Sequence, residues 1–231
     1  MRNISLLCGL LLLLGALAVA QEFPKDEAYI AYSFVRVAPQ NNVNAFNSNG
    51  GLGQLQYNIN EHIGIVADLG GYTNGNITGR GITFPGDQSQ FTYLFGPRLS
   101  INKTGKVTPF FEFEVGGVHN ARSFSVPTSA IPAGLIVPKD ITVEAGSPGF
   151  TKFRSTQNAF AMAIGGGLEV KVKRWIAVRP IQLDYLPSHF SPFNFSRTPG
   201  SITSIVDNST QWQHNLRYSA GITFRFSEPK F

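Results

Sequence analysis

Apolar and polar residues alternate with a period of two along most of this chain. Trp212 to Phe226 shows the pattern best. Trp212, His214, Leu216, Tyr218, Ala220, Ile222, Phe224 and Phe226 share one parity, and Gln213, Asn215, Arg217, Ser219, Gly221, Thr223 and Arg225 share the other. Side chains of a strand point to opposite faces in turn, so one face is large and apolar and the other small or polar. Seven further stretches read the same way. Tyr29 to Val37 has Ile30, Tyr32 and Phe34 on one face, and Gly51 to Ile59 sets Leu55, Tyr57 and Ile59 against Gln54, Gln56 and Asn58. Ile63 to Tyr72, Phe91 to Ile101, Val107 to Val118, Phe160 to Val172 and Ile176 to Tyr185 complete the set. The pattern therefore predicts eight strands, each about the ~9–11 residues of a tilted membrane strand.

The connections alternate in length. Short links fall at Asn60-Glu61, at Asn102 to Lys106 and at Lys173-Arg174. Longer ones fall at Ala38 to Gly50, Thr73 to Gln90, His119 to Asn158 and Leu186 to Gln211. Tight turns on one side and long loops on the other mark an up-and-down membrane barrel. Asn102-Lys103-Thr104-Gly105-Lys106 supplies residues that accept a positive φ. Volume decides which face points outward. An eight-stranded barrel has an interior just wide enough for side chains to fill. The bulky residues all share one face, while the other mixes Ala161, Ala163, Gly165, Gly167, Ser219 and Gly221 with charges. The bulky face is expected against lipid, with aromatics near the strand ends forming interfacial belts.

The first twenty residues read as a secretory leader. Arg2 is the positive start, Ile4 to Leu17 is apolar, and Ala18-Val19-Ala20 fits a cleavage site before Gln21. The run is short for a spanning helix of ~20 residues. Cys8 is the one cysteine and lies in the leader behind Leu7, which does not suit lipidation. The mature chain is then free of cysteine, which excludes a disulfide-stapled domain. One positive charge leaves with the leader, so +5 becomes +4, and no basic run points to nucleic acid. Charged residues make up 14%, where ~25% is usual in soluble proteins. A mature chain that meets a membrane does so as a closed barrel, because no later segment is long and apolar enough for a helix. The organisation expected is 1–20 leader, 21–226 barrel and 227–231 tail.

The leader, the eight alternating strands, the Gly96-Pro97-Arg98-Leu99-Ser100-Ile101 and Thr108 to Gly117 segments and the closing Ser219 to Phe226 stretch resemble the OmpA-like (OmpA/OmpX-type) bacterial outer-membrane β-barrels. The resemblance covers nearly all of the mature chain. It implies an all-β fold, an eight-stranded antiparallel up-and-down transmembrane β-barrel in the cell outer membrane, reached by secretion across the inner membrane. It also implies outer-membrane lipid and the barrel assembly machinery as partners. Such barrels often stop at the terminal aromatic of their last strand. Here either Phe226 closes the barrel with a free tail, or Phe231 carries the assembly signal.

Inward parity gathers Asp68, Arg98, Glu112, Glu114, Glu169, Lys171, Asp184, Arg217 and Arg225. Charges in so narrow a space must pair, since an unpaired buried charge is very costly. A salt-bridged plug is expected in preference to an ion path, with Glu112 and Glu114 as partners of Arg98 and Arg217 rather than as an acid–base pair. Arg179 shares the parity of the apolar residues. Either it snorkels at the periplasmic rim, or Pro180 marks a bulge that flips parity. Some eight-stranded barrels modify lipid A with a His beside a Ser, and His214 near Ser209 is the best candidate for that chemistry. An interfacial histidine is the preferred reading of it. His62, His119, His189 and His214 are scattered and show no metal-ligand spacing. Gly165-Gly166-Gly167 lies in a strand and reads as close packing, not as a phosphate loop. No catalytic residue, cofactor or metal is expected. The function expected is structural or surface-interactive, in adhesion or envelope integrity, carried by outer loops of a monomer and above all by His119 to Asn158. The alternatives are a lipid A-modifying barrel enzyme and a small-solute channel.

Overall fold

The computed structural model describes residues 23–38, 45–79, 82–131, 133, 135–136, 141–190, 196–197 and 211–226. The leader, Ser209 and the tail 227–231 lie outside the described residues. Eight long strands form: β1 (Asp26–Ala38), β2 (Phe46–Asn58), β3 (Ile63–Gly79), β4 (Ile82–Ser100), β5 (Val107–Pro127), β8 (Phe150–Lys173), β9 (Ile176–Phe190) and β11 (Gln211–Phe226). Three short strands accompany them, β6 (Leu135–Ile136), β7 (Ile141–Ala145) and β10 (Ser196–Arg197), with a 3-10 turn at Thr128–Ala130. The long strands pair antiparallel in chain order, and β5 joins β8 directly. The first and last strands pair from Asp26↔Phe226 to Ala38↔His214, which closes the sheet. The fold is a closed, eight-stranded, antiparallel up-and-down β-barrel.

The alternation does what the volumes require. Ile30, Leu55, Phe95, Phe111 and Leu216 point outward and are exposed, while Asp68, Glu112, Arg217 and Ser219 point inward and are buried. A belt of exposed apolar side chains this wide is not stable against water. A closed ladder leaves no unpaired backbone groups on the wall, which lipid demands. Both features make this a transmembrane barrel. At the short-linked end, Asn102 adopts φ 57° and its carbonyl accepts from the Gly105 amide at 3.0 Å, which closes the β4–β5 turn.

The strands are longer than alternation alone implies, and always at the end away from these short turns. β3, β4, β5 and β8 run to 17, 19, 21 and 24 residues. The stretch Thr73 to Gln90, expected as a loop, is a continuous β3–β4 hairpin paired up to Gly79↔Ile82. Of His119 to Asn158, also expected as a loop, both ends belong to the β5–β8 ladder, which extends to Pro127↔Phe150. Beyond β9's last pairing with β8, β7 takes up that edge of β8, from Ile141↔Ser155 to Ala145↔Thr151. Beyond the lipid belt the outward face of these extensions meets water, so nothing there selects apolar residues at every second position. The ladder persists without the pattern that marks it inside the membrane.

Between Ser219 and Gly221, β11 advances two residues while β9 advances three, from Gln182 to Arg179. The extra residue is a bulge at Pro180-Ile181, and both of these side chains are exposed. Arg179 consequently points inward and is completely buried. The bulge, not snorkelling, resolves its parity; a proline, which donates nothing to a ladder, suits the site.

The glycine run is a close approach of strands. A Cβ on Gly165 would stand 2.1 Å from Asp184 Oδ1, and one on Gly166 would stand 2.3 Å from the Phe110 carbonyl oxygen.

Candidate functional sites in the barrel interior and at its ends

The interior is layered. At the end that carries the short turns, the β4–β5 turn folds Lys103 back into the barrel, where it is buried. Its Nζ lies 2.9 Å from Glu27 Oε2 and donates to Asn58 Oδ1 at 2.5 Å. Burial pushes the Lys103 ammonium below its usual range, and Glu27 opposes that shift. Asn58 Nδ2 in turn donates to the Pro24 carbonyl at 2.7 Å. Arg225 stands 3.4 Å from Glu27 Oε1, without hydrogen-bond alignment, and donates from Nη2 to Glu169 Oε1 at 2.5 Å. Arg179 and Thr223 hold the other Glu169 oxygen, at 3.2 and 3.1 Å. Lys171 lies half-buried on β8 close to this end.

The middle layer is a continuous network. Arg98 donates to Glu112 through Nε at 2.8 Å and also through Nη2, and it reaches Gln56 and Gln54. Arg179 donates to Gln54 Oε1 at 2.6 Å and to Gln182 Oε1 at 2.7 Å. Gln182 passes the chain on to Glu112 at 2.6 Å and Asp184 at 3.0 Å. Arg217 takes Asp184 through Nε at 2.8 Å and Asp68 through both terminal nitrogens, at 3.1 and 2.8 Å. The Arg98 and Arg179 guanidinium carbons lie 4.4 and 4.6 Å from the Phe110 ring centroid, and that of Arg179 lies 3.7 Å from Tyr29. These side chains reach across the bore and are almost wholly buried. Above them lies an apolar layer of Leu94, Val118, Ala161, Ala163, Leu186 and Phe190.

Two particulars differ from the pairing expected. Glu112 does pair with Arg98, but Arg217 is taken by Asp68 and Asp184. Glu114 is completely buried between these layers, and neither of its oxygens accepts a hydrogen bond. Alternation overlooks several network members. Glu27 lies just before the recognised start of its strand, on the same parity as Tyr29. Gln54, Gln56 and Gln182 lie on the polar faces but carry no charge to draw notice. Lys103 sits in a turn, where no periodicity exists to place it.

The histidines do not converge. His62 is exposed and 3.6 Å from Glu61, and His119 bonds Asn158 at 2.7 Å. His189 packs on Trp212 with centroids 4.8 Å apart. His214 is exposed on the wall, hydrogen-bonded through Nδ1 to the Tyr185 hydroxyl and stacked on that ring. Tyr185, His189, Trp212 and His214 form an aromatic patch towards the outer end of β9 and β11, the composition of an interfacial belt. Among the described residues, no three His, Cys, Asp or Glu side chains gather as metal ligands would.

A closed eight-stranded ladder, apolar outside and ion-paired within, is the architecture of the small bacterial outer-membrane β-barrels. Comparison with solved structures gives the same result. Ail, the attachment invasion locus protein of Yersinia pestis, superposes with a TM-score of 0.50 at 15% identity, covering 88% of this chain and 99% of Ail. Neisserial surface protein A aligns with a TM-score of 0.48 at 11% identity, over 87% of this chain and 97% of its own. OprG of Pseudomonas aeruginosa gives 0.48 at 10%, over 90% and 99%. Identities this low speak to the fold alone. No protein-family model matches the chain, and no curated protein does.

Proposed function

We propose that this protein is a monomeric, non-enzymatic outer-membrane barrel whose outer extension engages another surface, in adhesion or envelope integrity. In this reading residues 1–20 direct secretion and are removed, 21–226 form the barrel, and 227–231 trail from it. The observation that carries it is the continuation of β3, β4, β5 and β8 beyond the lipid belt as one ordered sheet with β7 added. Twenty-four residues in β8 exceed the ~9–11 that the membrane needs, and Phe150 to Ala159 precede the wall pattern that begins at Phe160. The wall is committed to lipid and the bore is filled, which leaves this sheet as the broad water-facing surface. Its rim carries Lys152, Arg154 and Arg122 beside Asp87, Ser89 and Ser123 around a shallow cavity of about 220 Å³. The filled bore weighs against a solute channel. The engagement of His214 by Tyr185 on the lipid face weighs against a His–Ser hydrolase there.

The test removes residues 128–149 and joins Pro127 to Phe150 through a tight turn, which retains the β5–β8 ladder. Cells displaying the shortened protein are then compared with cells displaying the whole one on immobilised heparin, on collagen and on an epithelial monolayer. The expected result is lost attachment with unchanged folding. Equal attachment by both would refute a role for this extension.

A further inference from the structure

The outer mouth of the barrel holds polar side chains that neither the plug nor the wall uses. Above the apolar layer, register sets Gln88 of β4 beside Arg122 of β5, and Arg122 beside Ser155 of β8, all facing inward. One step lower, Gln90 faces Asn120. Gln88 is 2% exposed, yet neither its amide nitrogen nor its oxygen has a partner. Gln90 Nε2, Asn120 Oδ1, Ser155 Oγ and Arg122 Nε are likewise buried and unpartnered. The Arg122 guanidinium lies 5.9 Å from the Phe190 ring centroid, and no carboxylate among the described residues pairs with it. Arg122 is half-buried with its Nε sealed from water, and that desolvation pushes its pKa down to about 10.

Buried polar atoms are nearly always satisfied, and a buried cation nearly always has a counter-charge. Elsewhere in this barrel the second rule holds: Arg98, Arg179, Arg217 and Arg225 each have a carboxylate. An inward guanidinium without a carboxylate, ringed by unused polar atoms, therefore sets the mouth apart from the plug. We propose that the outer mouth is a binding site for a small hydroxylated ligand bearing one oxyanion, with Arg122 as the charge partner and Gln88, Gln90 and Ser155 as hydrogen-bond donors. A planar guanidinium matches the two oxygens of a carboxylate or a sulfate. The free acceptors Gln88 Oε1 and Asn120 Oδ1 suit neighbouring hydroxyls, and the Phe190 ring offers an apolar floor. An acidic or sulfated sugar unit has this chemistry. The filled bore beneath makes the mouth a receptor pocket and not an entrance. The site shares its rim with the attachment surface, since Arg122 also borders the cavity lined by Lys152 and Arg154, but its donors Gln88, Gln90 and Ser155 are buried on the inner face.

The test uses the full mature chain refolded in detergent micelles and follows the arginine Nε–H and glutamine side-chain NMR signals. Sodium glucuronate, inorganic sulfate and glucose are titrated separately at constant ionic strength. Glucuronate is expected to shift the Arg122 and Gln88 signals saturably, sulfate more weakly, and glucose not at all. R122Q is expected to weaken glucuronate binding about tenfold or more, the loss that follows from removing a charged hydrogen-bond partner. R36Q, at an exposed position of β1, should bind as the parent does. If R122Q fails to fold, Gln88→Leu probes the same pocket. A response to sulfate equal to that to glucuronate would reduce the site to a bare anion site and overturn the sugar assignment. The proposal fails if shifts are absent or never saturate, if glucose matches glucuronate, if the folded Arg122 or Gln88 variant binds normally, or if R36Q abolishes binding.

Discussion

Arg217 shows how single residues hold this barrel together. It is completely buried and bridges Asp68 on β3 to Asp184 on β9, with the Tyr72 hydroxyl 3.1 Å from Nη1. Replacing it with alanine strands two carboxylates in the bore. Arg217→Ala is expected to cost about 3–5 kcal/mol, the usual penalty for breaking a buried pair from one side. Glu114→Gln should behave oppositely. Its carboxylate is as deeply buried but accepts no hydrogen bond, so a neutral side chain of the same shape removes nothing favourable. Urea unfolding of both variants from lipid vesicles checks the pair: E114Q is expected to match or exceed the parent in stability. A loss with E114Q comparable to that of R217A would mean that Glu114 has an essential partner.

Among the elements, β9 is the informative one. Pro180 and Ile181 face outward in succession, while Arg179 and Gln182 on either side face inward. Removing Pro180 restores plain alternation and leaves every other side chain on its face. A one-residue deletion in a membrane strand ordinarily turns one side of it inside out. Deletion of Pro180 is therefore expected to be tolerated, at about 1 kcal/mol for the Tyr218 hydroxyl that now donates to the Pro180 carbonyl. Deletion of Leu183, two residues into the regular ladder, should abolish folding. Folding yield into vesicles, read by protection from protease, distinguishes them. Equal failure of both deletions would show that the bulge itself is required.

At the scale of the whole molecule, closure dominates. The β1–β11 pairing leaves the wall no edge from which unfolding can start, and the network crosses the bore between strands far apart in sequence, as in Arg217 with Asp68, 149 residues away. Such a barrel resists detergent until it is heated. The protein is expected to fractionate with outer membranes and to migrate differently in gels before and after boiling. Recovery as a soluble periplasmic protein would contradict a lipid-facing wall.

The period of two determined the eight strands, and the unequal volumes of the two faces determined which of them meets lipid. Each wall residue answers to its local surroundings, lipid outside or a crowded bore inside, and that demand repeats at every second position. It also brought Asp68, Arg98, Glu112, Asp184 and Arg217 to one interior by parity alone. Parity carries no information across the bore, however. That Arg217 takes Asp68 and Asp184, while Glu114 is left without a hydrogen bond, follows from strand stagger and closure. The inward turn of Arg179 required a bulge visible only as a mismatch between neighbouring strands. Lys103 and Arg122 lie outside the membrane-patterned segments, one in a turn and one in an extension beyond the lipid, where no periodic demand exists. Only the folded barrel brings Lys103 to the floor and Arg122 to the mouth.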